Sequence, residues 1–288
     1  MNLPKISIVT PSFNQGQFLE ETILSVFNQN YPNLEYIVID GGSKDDSVEI
    51  IRRYGDGIAY WVSEPDRGQV HALNKGLEKA TGDIFAFINS DDIYLPGAFF
   101  AVVEYFHENP QSNWLCGDTI MFGKGHKTTL FRAITPKSAA HALSWAAHCP
   151  QPGMFWKREL VTTGFQECWP YDFDHDLYVR LLLAGFRCDH LDLPLAAYRL
   201  HPTSKTVAEG DRQEAEFDLM SQHYEDQLQG AGKRWCRATR YIRQAYKLAE
   251  SKNSAEGARW LLRALMTHPE GIAQRPFWGT LRLLLRNA

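Results

Sequence analysis

The stretch Ile84-Phe85-Ala86-Phe87-Ile88-Asn89-Ser90-Asp91-Asp92 decides the fold. Five successive apolar residues, several β-branched or aromatic, read as a short buried strand. Four polar residues ending in two acids follow at once. In an open α/β sheet the ligand crevice lies outside the carboxyl ends of the strands. A strand here aims Asp91 and Asp92 into that crevice. Adjacent carboxylates with an amide and a hydroxyl suit a hard divalent cation holding phosphate oxygens. Asp-Asp is also common in turns and helix caps, so the pair alone fits either reading.

The flanking sequence repeats the pattern. Ile6 to Thr10, Tyr36 to Asp40 and Ile58 to Val62 are β-rich runs, and Phe18 to Gln29 and Val70 to Ala80 carry helical spacing between them. Ser43-x-x-Asp46 reads as a capping box. Strand–helix alternation predicts a mostly parallel sheet with helices on both faces. Four strand ends carry polar clusters: Thr10-Pro11-Ser12, Asp40-Gly41-Gly42, Glu64-Pro65-Asp66-Arg67 and Asn89-Ser90-Asp91-Asp92. A helix is predicted from Pro96 to about Glu108, paired β segments from 113 to 134, and an amphipathic helix from Asp174 to Ala184. Extended chain follows from Arg187 to Leu200. From Gly210 the pattern is helical, with breaks near Gly230, Asn253 and Pro269.

Composition narrows the function. The chain has 288 residues, 44% of them hydrophobic, enough for a large core. A net charge of −4 argues against a general nucleic-acid role. From Gly230 onward, however, twelve basic residues face three acids, +9 against −13 for the rest. Trp278, Leu281 and Leu283 to Leu285, with Arg275, Arg282 and Arg286, suit either an anionic membrane surface or a packed helix with a solvated basic side. Five cysteines with no C-x-x-C indicate reduced thiols rather than a zinc site or disulfide framework. Met1 to Lys5 enters a strand without a signal-peptide core. Leu95 to Phe106 is too short to span a bilayer and contains Glu104. The expected location is cytoplasmic.

No G-x-G-x-x-G follows the first strand, and no G-x-x-x-x-G-K-[ST] or G-x-S-x-G occurs. This disfavours a dinucleotide-dependent dehydrogenase, a phosphate-loop nucleotidase and an elbow-type hydrolase. Asp40 and Asp66 are candidate contacts for a base or ribose, or plain turn residues. Arg67 is a surface charge or a phosphate contact. Asp174 and Asp176 are candidate proton acceptors for a hydroxyl, or helix-capping acids. His201 is a loop histidine, a third metal ligand or a phosphate contact.

Taken together these segments resemble family 2 glycosyltransferases of the GT-A fold. The resemblance runs from Ile6-Ser7-Ile8-Val9-Thr10-Pro11-Ser12-Phe13-Asn14 through Asp40 to Asp45, Ser63 to Gln69 and Ala72-Leu73-Asn74-Lys75-Gly76 to Asn89-Ser90-Asp91-Asp92. It extends more loosely to Asp174-His175-Asp176-Leu177 and Tyr198-Arg199-Leu200-His201, covering about residues 3 to 206. It implies inverting transfer from a UDP-, GDP- or dTDP-sugar to a hydroxyl on a glycan or lipid-linked acceptor, with Mn²⁺ or Mg²⁺. Thr10, Pro11, Ser12, Asn14, Asp40, Gly41, Asp66, Arg67, Asn74 and Ser90 would line the nucleotide pocket. Asp91, Asp92 and His201 would be the metal end, and Asn89 stands where the family's D-x-D-D form has its first acid. Asn89, Asp118 and Gln151 would meet donor sugar or acceptor. Asp174 would be the base, with Asp176 as runner-up. The implied division is a catalytic domain over 1–208 (nucleotide half 1–110, acceptor half 111–208) and a helical extension over 209–288. Bacterial surface-polysaccharide or lipid-linked glycan synthesis is the implied pathway, with peripheral membrane contact through the basic helices. The rivals are a non-catalytic binder on the same fold, which Asn89 favours, a sugar nucleotidyltransferase and a glycosidase.

Overall fold

The computed structural model describes residues 3–144, 147–270 and 275–287. Met1 and Asn2, and the side chain of Arg275 counted in the basic tail, lie outside the described set. The chain forms two compact units, Met1–Thr135 with His148–Gly210, and Pro136–Ala147 with Asp211–Ala288. The short segment 136–147, expected in the acceptor half, therefore groups with the C-terminal helices.

In chain order the elements are β1 (Ile6–Ser12), α1 (Gly16–Phe27), β2 (Leu34–Asp40), α2 (Ser47–Arg53), β3 (Tyr60–Ser63), α3 (Gln69–Lys79), β4 (Ile84–Phe87), β5 (Ile93–Tyr94), α4 (Ala98–Glu108), β6 (Trp114–Phe122), β7 (Thr129–Phe131), α5 (Ala139–Ala142), β8 (Met154–Lys157), α6 (Phe173–Leu183), β9 (Asp189–Arg199), α7 (Lys205–Ala208), α8 (Gly210–Glu225), α9 (Gly230–Glu250), α10 (Ser254–Thr267) and α11 (Arg275–Asn287). One sheet runs β3-β2-β1-β4-β8-β6-β9-β5, with β7 on β6. The first four strands are parallel, as are β6 and β9. The β4–β8, β6–β8, β6–β7 and β5–β9 pairings are antiparallel and shorter.

Period-two alternation splits the strands between two cores, as a sheet covered on both faces requires. Ile6, Ile8, Tyr36, Val38, Ile84, Ala86 and Ile88 pack with Leu19 and Ile23 of α1 and Phe99 and Val102 of α4. Val9, Ile37, Ile39, Phe85 and Phe87 point the other way, onto Leu73 of α3 and Phe173 and Leu177 of α6. Each such side chain, taken wholly from water, contributes about 1.5–3 kcal/mol. The strand expectations for the first half therefore stand, each within a few residues. Two short strands, β5 and β8, carry too few residues for a periodic signal. The expected Ser43 cap is replaced: α2 begins at Ser47, whose amide Asp45 accepts at 3.0 Å, while the Ser43 hydroxyl bonds Asp40.

In the second unit, Ala238, Ile242 and Ala245 of α9 pack with Leu261 and Ala264 of α10 and Phe277 and Leu284 of α11. Arg243 of α9 is wholly buried, bonded to Asp218 at 2.7 Å and to the Leu143 carbonyl beside α5 at 3.5 Å. Among the described residues no helix is long and apolar enough to cross a membrane.

Helix α3 lies close on β1 because Gly76 has no side chain. A Cβ there would sit 2.4 Å from Val9 Cγ1. In an isolated helix Gly→Ala gains about 1 kcal/mol, whereas overpacking a core costs about 1–3 kcal/mol. Gly76→Ala is therefore expected to lower the melting temperature despite its better helix propensity, as a thermal unfolding scan would show.

Candidate functional site

The carboxyl ends of β1, β2 and β3 and the loop after β4 share one edge of the parallel sheet, and a cleft of about 530 Å³ opens there. Pro11, Ser12, Phe13 and Gln15 come from the first strand end, Gly41 from the second and Asp66 from the third. Asn89, Ser90 and Asp91 come from the fourth, with Tyr198 and Thr203 to Thr206 from the chain after β9. Ser12 Oγ and Gln15 Oε1 are buried and have no hydrogen-bond partner among the described residues. At the wall of a cleft, atoms of this kind are open to a ligand or to water.

Asp40 is wholly buried. Its carboxylate accepts from the Gly42 and Ser43 amides at 3.1 and 2.9 Å, and from the Ser63 and Ser43 hydroxyls at 2.6 and 2.5 Å. It thus orders the loop that presents Gly41. A Cβ on Gly41 would lie 2.9 Å from Asp66 Oδ2, so glycine lets Asp66 close over this strand end. Asn14, at φ 52°, ties the same loops by donating its amide to Ser43 Oγ at 2.7 Å and accepting from the Lys44 amide at 2.8 Å. Thr10 is buried and accepts from the Tyr36 hydroxyl at 3.1 Å.

At the fourth strand end the two acids part company. Asp92 is wholly buried; it accepts the Arg199 amide at 2.8 Å and the Asn89 side-chain amide at 3.4 Å. Burial, then the charge of Asp91, pushes its carboxyl well above the usual aspartate range. Asp91 faces the cleft, with Oδ2 3.0 Å from His201 Nε2. Two ligand atoms held at about 2.1 Å and at right angles by one octahedral ion lie roughly 3 Å apart, so this pair fits one divalent cation. Asp92, its oxygens spent on the protein, supports the pair from behind.

Asn89 accepts from Gln69 Nε2 at 2.7 Å, and its amide faces Asp92 Oδ2 and Gln151 Oε1, both at 3.4 Å. An acid here would put a third negative charge beside buried Asp92 and donate nothing, so the amide suits its surroundings. Gln151 also donates to the Phe87 carbonyl at 2.8 Å. Lys205 reaches Gln69 Oε1 at 2.8 Å, which brings a cation to the same wall.

Arg199 holds this end together, a role with no local sequence signal. Its guanidinium donates to the Asp91 carbonyl at 2.8 Å and to Glu21 at 2.5 Å, between the rings of Phe18 and Phe122. Phe18 also touches the His201 ring, centroids 4.6 Å apart. Tyr198, of the Tyr198-Arg199-Leu200-His201 segment, lines the cleft. Its phenol is pushed up to about 12, chiefly by burial, and the charges of Asp92, Asp91 and Asp174 act in the same direction. Acids from two segments, the Asp91-Asp92 pair and Asp174, therefore act on one phenol.

Asp174 and Asp176 differ. Asp176 is wholly buried and paired with Arg180 at 2.7 Å, and that arginine also bonds Thr163 and the Gly164 carbonyl. Asp174 accepts its neighbour's amide, His175 N, at 2.8 Å and faces the Tyr178 hydroxyl at 3.4 Å. Burial raises its carboxyl, partly offset by the charge of His175 and by these hydrogen bonds.

Other sequence candidates lie elsewhere. Arg67 grips Glu167 with two hydrogen bonds of 3.0 and 2.7 Å, and Asn74 clamps the Phe165 amide and carbonyl, both at 2.8 Å. Both line a separate cleft of about 470 Å³. Asp118 is buried at a register shift in β6 and forms with His190 and Asp192 a group able to hold a cation. Arg132 already sits 2.5 Å from Asp192 and 3.8 Å from Asp118, supplying positive charge to that group.

Residues 7–176 match the family model described as glycosyl transferase family 2. An uncharacterized glycosyltransferase of Rickettsia prowazekii is 33% identical over 233 residues, 76% of this chain and 71% of that protein. A Campylobacter jejuni protein named GalNAc(5)-diNAcBac-PP-undecaprenol beta-1,3-glucosyltransferase is 34% identical over 110 residues, 37% of this chain and 36% of its own. A Mycobacterium tuberculosis uncharacterized glycosyltransferase is 46% identical over 90 residues, and the match spans 31% of this chain and 34% of that relative. Among solved structures, S. aureus TarS 1-349 with UDP-GlcNAc has a TM-score of 0.66 at 15% identity, covering 98% of this chain and 89% of that one. The Pyrobaculum calidifontis mannosyltransferase with GDP-Man and Mn²⁺ scores 0.66 at 18% identity, covering 99% and 86%. These two share the fold, which is GT-A as the sequence resemblance implies. With the family model spanning more than half of its length, the chain belongs to glycosyl transferase family 2.

Proposed function

We infer that this chain is a metal-dependent, inverting glycosyltransferase that moves a sugar from a nucleotide-diphosphate donor to a hydroxyl. The observation that carries the reading is the Asp91–His201 pair, 3.0 Å apart, at the cleft formed by the strand ends. The neighbours' bound UDP-GlcNAc and GDP-Man with Mn²⁺ support a nucleotide-sugar donor and a cation. The lipid-linked glycan in the Campylobacter relative's name supports a glycan or lipid-linked acceptor of a bacterial surface-polysaccharide or lipid-linked pathway.

Asp91 and His201 would hold Mg²⁺ or Mn²⁺, which supplies neutralisation of the departing diphosphate when bound. The Gly41 loop and Asp66 take the nucleoside, with Ser12 and Gln15 offering their unpaired atoms to it. Lys205 adds positive charge beside Gln69. Asp174 takes the proton of the acceptor hydroxyl, whose oxygen attacks the anomeric carbon. The bond to the diphosphate breaks on the opposite face, and one displacement inverts the centre. A carboxyl held above the usual aspartate range is a better proton acceptor once ionised. The working location is the inner face of the cytoplasmic membrane, with the basic C-terminal helices in contact with it.

The first test is release of nucleoside diphosphate from a panel of UDP-, GDP- and dTDP-sugars, with and without Mn²⁺. Turnover should require one base and the metal, and Asp91→Asn should lower it on the order of a thousandfold with the fold intact. Undiminished turnover by that variant would end the assignment.

Asp174→Asn and Asp176→Asn should separate activity from stability. The first should cut transfer about 10²–10⁴-fold and melt no lower than the parent, because it removes a desolvated carboxylate. The second breaks a buried ion pair and should cost on the order of 3 kcal/mol of stability, read from urea unfolding.

The pH profile gives a third check. Asp174 must be ionised to accept a proton, so kcat/KM should fall as pH drops through its raised pKa. The acidic limb should lie above the ordinary aspartate range. Tyr178→Phe removes a hydrogen bond that favours the anion and should move that limb to higher pH. A limb at the ordinary aspartate value in both proteins would assign the base elsewhere.

A further inference from the structure

Helices α10 and α11 pack one side against α9 and leave the other bare. On α10, Leu261 and Ala264 are buried, while Leu262 and Met266 are 58% and 77% exposed. On α11, Phe277 and Leu284 are buried, while Trp278 and Leu285 are 46% and 71% exposed. Arginines interleave with these apolar residues on the same exposed faces. Arg259, Leu262, Arg263 and Met266 follow one another at spacings of three, one and three, and Trp278, Arg282, Leu285 and Arg286 at four, three and one. Residues three, four and seven apart share one side of a helix.

The pairing of charge separates these helices from α9. There Arg237 and Arg240 meet Glu225, and Arg243 and Lys247 meet Asp218. The acids of α8 thus hold these four basic residues of α9 inside the unit. Arg259, Arg263, Arg282 and Arg286 have no ion pair among the described residues. Glu256, the single acid on these two helices, takes a hydrogen bond from Asn253 at the start of α10. Four exposed large apolar side chains and four arginines without an ion pair among the described residues, one of them (Arg263) 4.6 Å over the Trp260 ring, thus lie on two adjacent short helices.

We propose that these two faces form a docking surface for a bilayer containing anionic lipids. Apolar residues mixed with arginine on an exposed helix face match an interfacial helix, which buries its apolar side chains among acyl chains and leaves its cations at the headgroups. Trp278 suits that boundary, where a ring with one polar edge is favoured. A second copy would bring four arginines against four, and like charges juxtaposed across an interface cost several kcal/mol. An anionic bilayer supplies opposite charge together with apolar depth. The sequence expectation for this tail also named Leu281, Leu283 and Leu284. Those three pack inside the unit, whereas the α10 half of the surface had no sequence signal of its own. The inference rests on the membrane contact given under the proposed function and deepens it by naming the two faces and the lipid chemistry; it is separable from catalysis, since binding to lipid needs no donor.

The test is co-sedimentation of the full chain with vesicles of phosphatidylcholine alone and of phosphatidylcholine with phosphatidylglycerol. Binding is expected only to the anionic vesicles and should weaken at high salt. Each Arg→Gln change among Arg259, Arg263, Arg282 and Arg286 should lower the partition coefficient about fivefold. Leu262→Ser with Leu285→Ser should lower it further at unchanged charge. Circular dichroism and melting of each variant control for folding, and donor hydrolysis reads the enzymatic assignment separately. Equal binding to both vesicle types, no binding to either, or loss of none of it in the arginine variants would overturn the proposal. So would sedimentation equilibrium showing a dimer that the Leu262→Ser, Leu285→Ser variant dissolves, which would give the surface to a second copy.

Discussion

A buried carboxylate and one arginine hold the acidic end of the cleft in shape. Asp92 cannot remain in the core without donors, because desolvating a carboxylate costs far more than one hydrogen bond returns. The amide of Arg199 supplies one donor, and the side chain of the same residue bonds the neighbouring carbonyl of Asp91. Residues more than a hundred positions apart are thereby fixed in register. The guanidinium is itself fixed by Glu21 and by the rings of Phe18 and Phe122. His201, two residues beyond Arg199, falls beside Asp91 at 3.0 Å.

This arrangement divides labour between adjacent acids. Asp91 keeps an oxygen toward the cleft, whereas Asp92 spends both on the protein. It also accounts for Asn89. A neutral amide can face a buried carboxylate and still accept from Gln69, and a third acid in that corner would raise the desolvation cost. The same division recurs on α6, where Asp176 is held by the Arg180 guanidinium and Asp174 has no cationic side chain bonded to it among the described residues, only the His175 amide and the more distant Tyr178 hydroxyl.

The parallel half was legible in the sequence because its strands are buried on both faces and its polar clusters fall at strand ends. Ile84 to Asp92 declares both features at once. Asp91, Asp66, Ser12 and His201 were accessible for the same reason, since acids, hydroxyls and imidazole at strand ends have few local uses. Their partners were not. Glu21 and Arg199 are ordinary charges in a periodic helix and a strand, 178 positions apart, and only the fold brings them together. Arg67 and Asn74 show the reverse. Each sits in a polar cluster that looks like binding chemistry, yet each is spent on an internal clamp, to Glu167 and to Phe165. Short strands such as β5 and β8 were unreadable because two to four residues carry no period.

The path of the backbone has a consequence for dissecting the molecule. The chain leaves the sheet-bearing unit after Thr135, contributes Pro136–Ala147 to the helical unit, and returns at His148 before the rest of the sheet is made. Arg243 of α9 bonds the carbonyl of Leu143 on that excursion. The C-terminal helices are therefore not a detachable tail. A stop codon near residue 210 would leave α5, just upstream of Gln151, without the helices that its segment groups with. The chain passes from one unit to the other after residues 135, 147 and 210, so removing the helices also strips 136–147 of the partners it has in the intact chain.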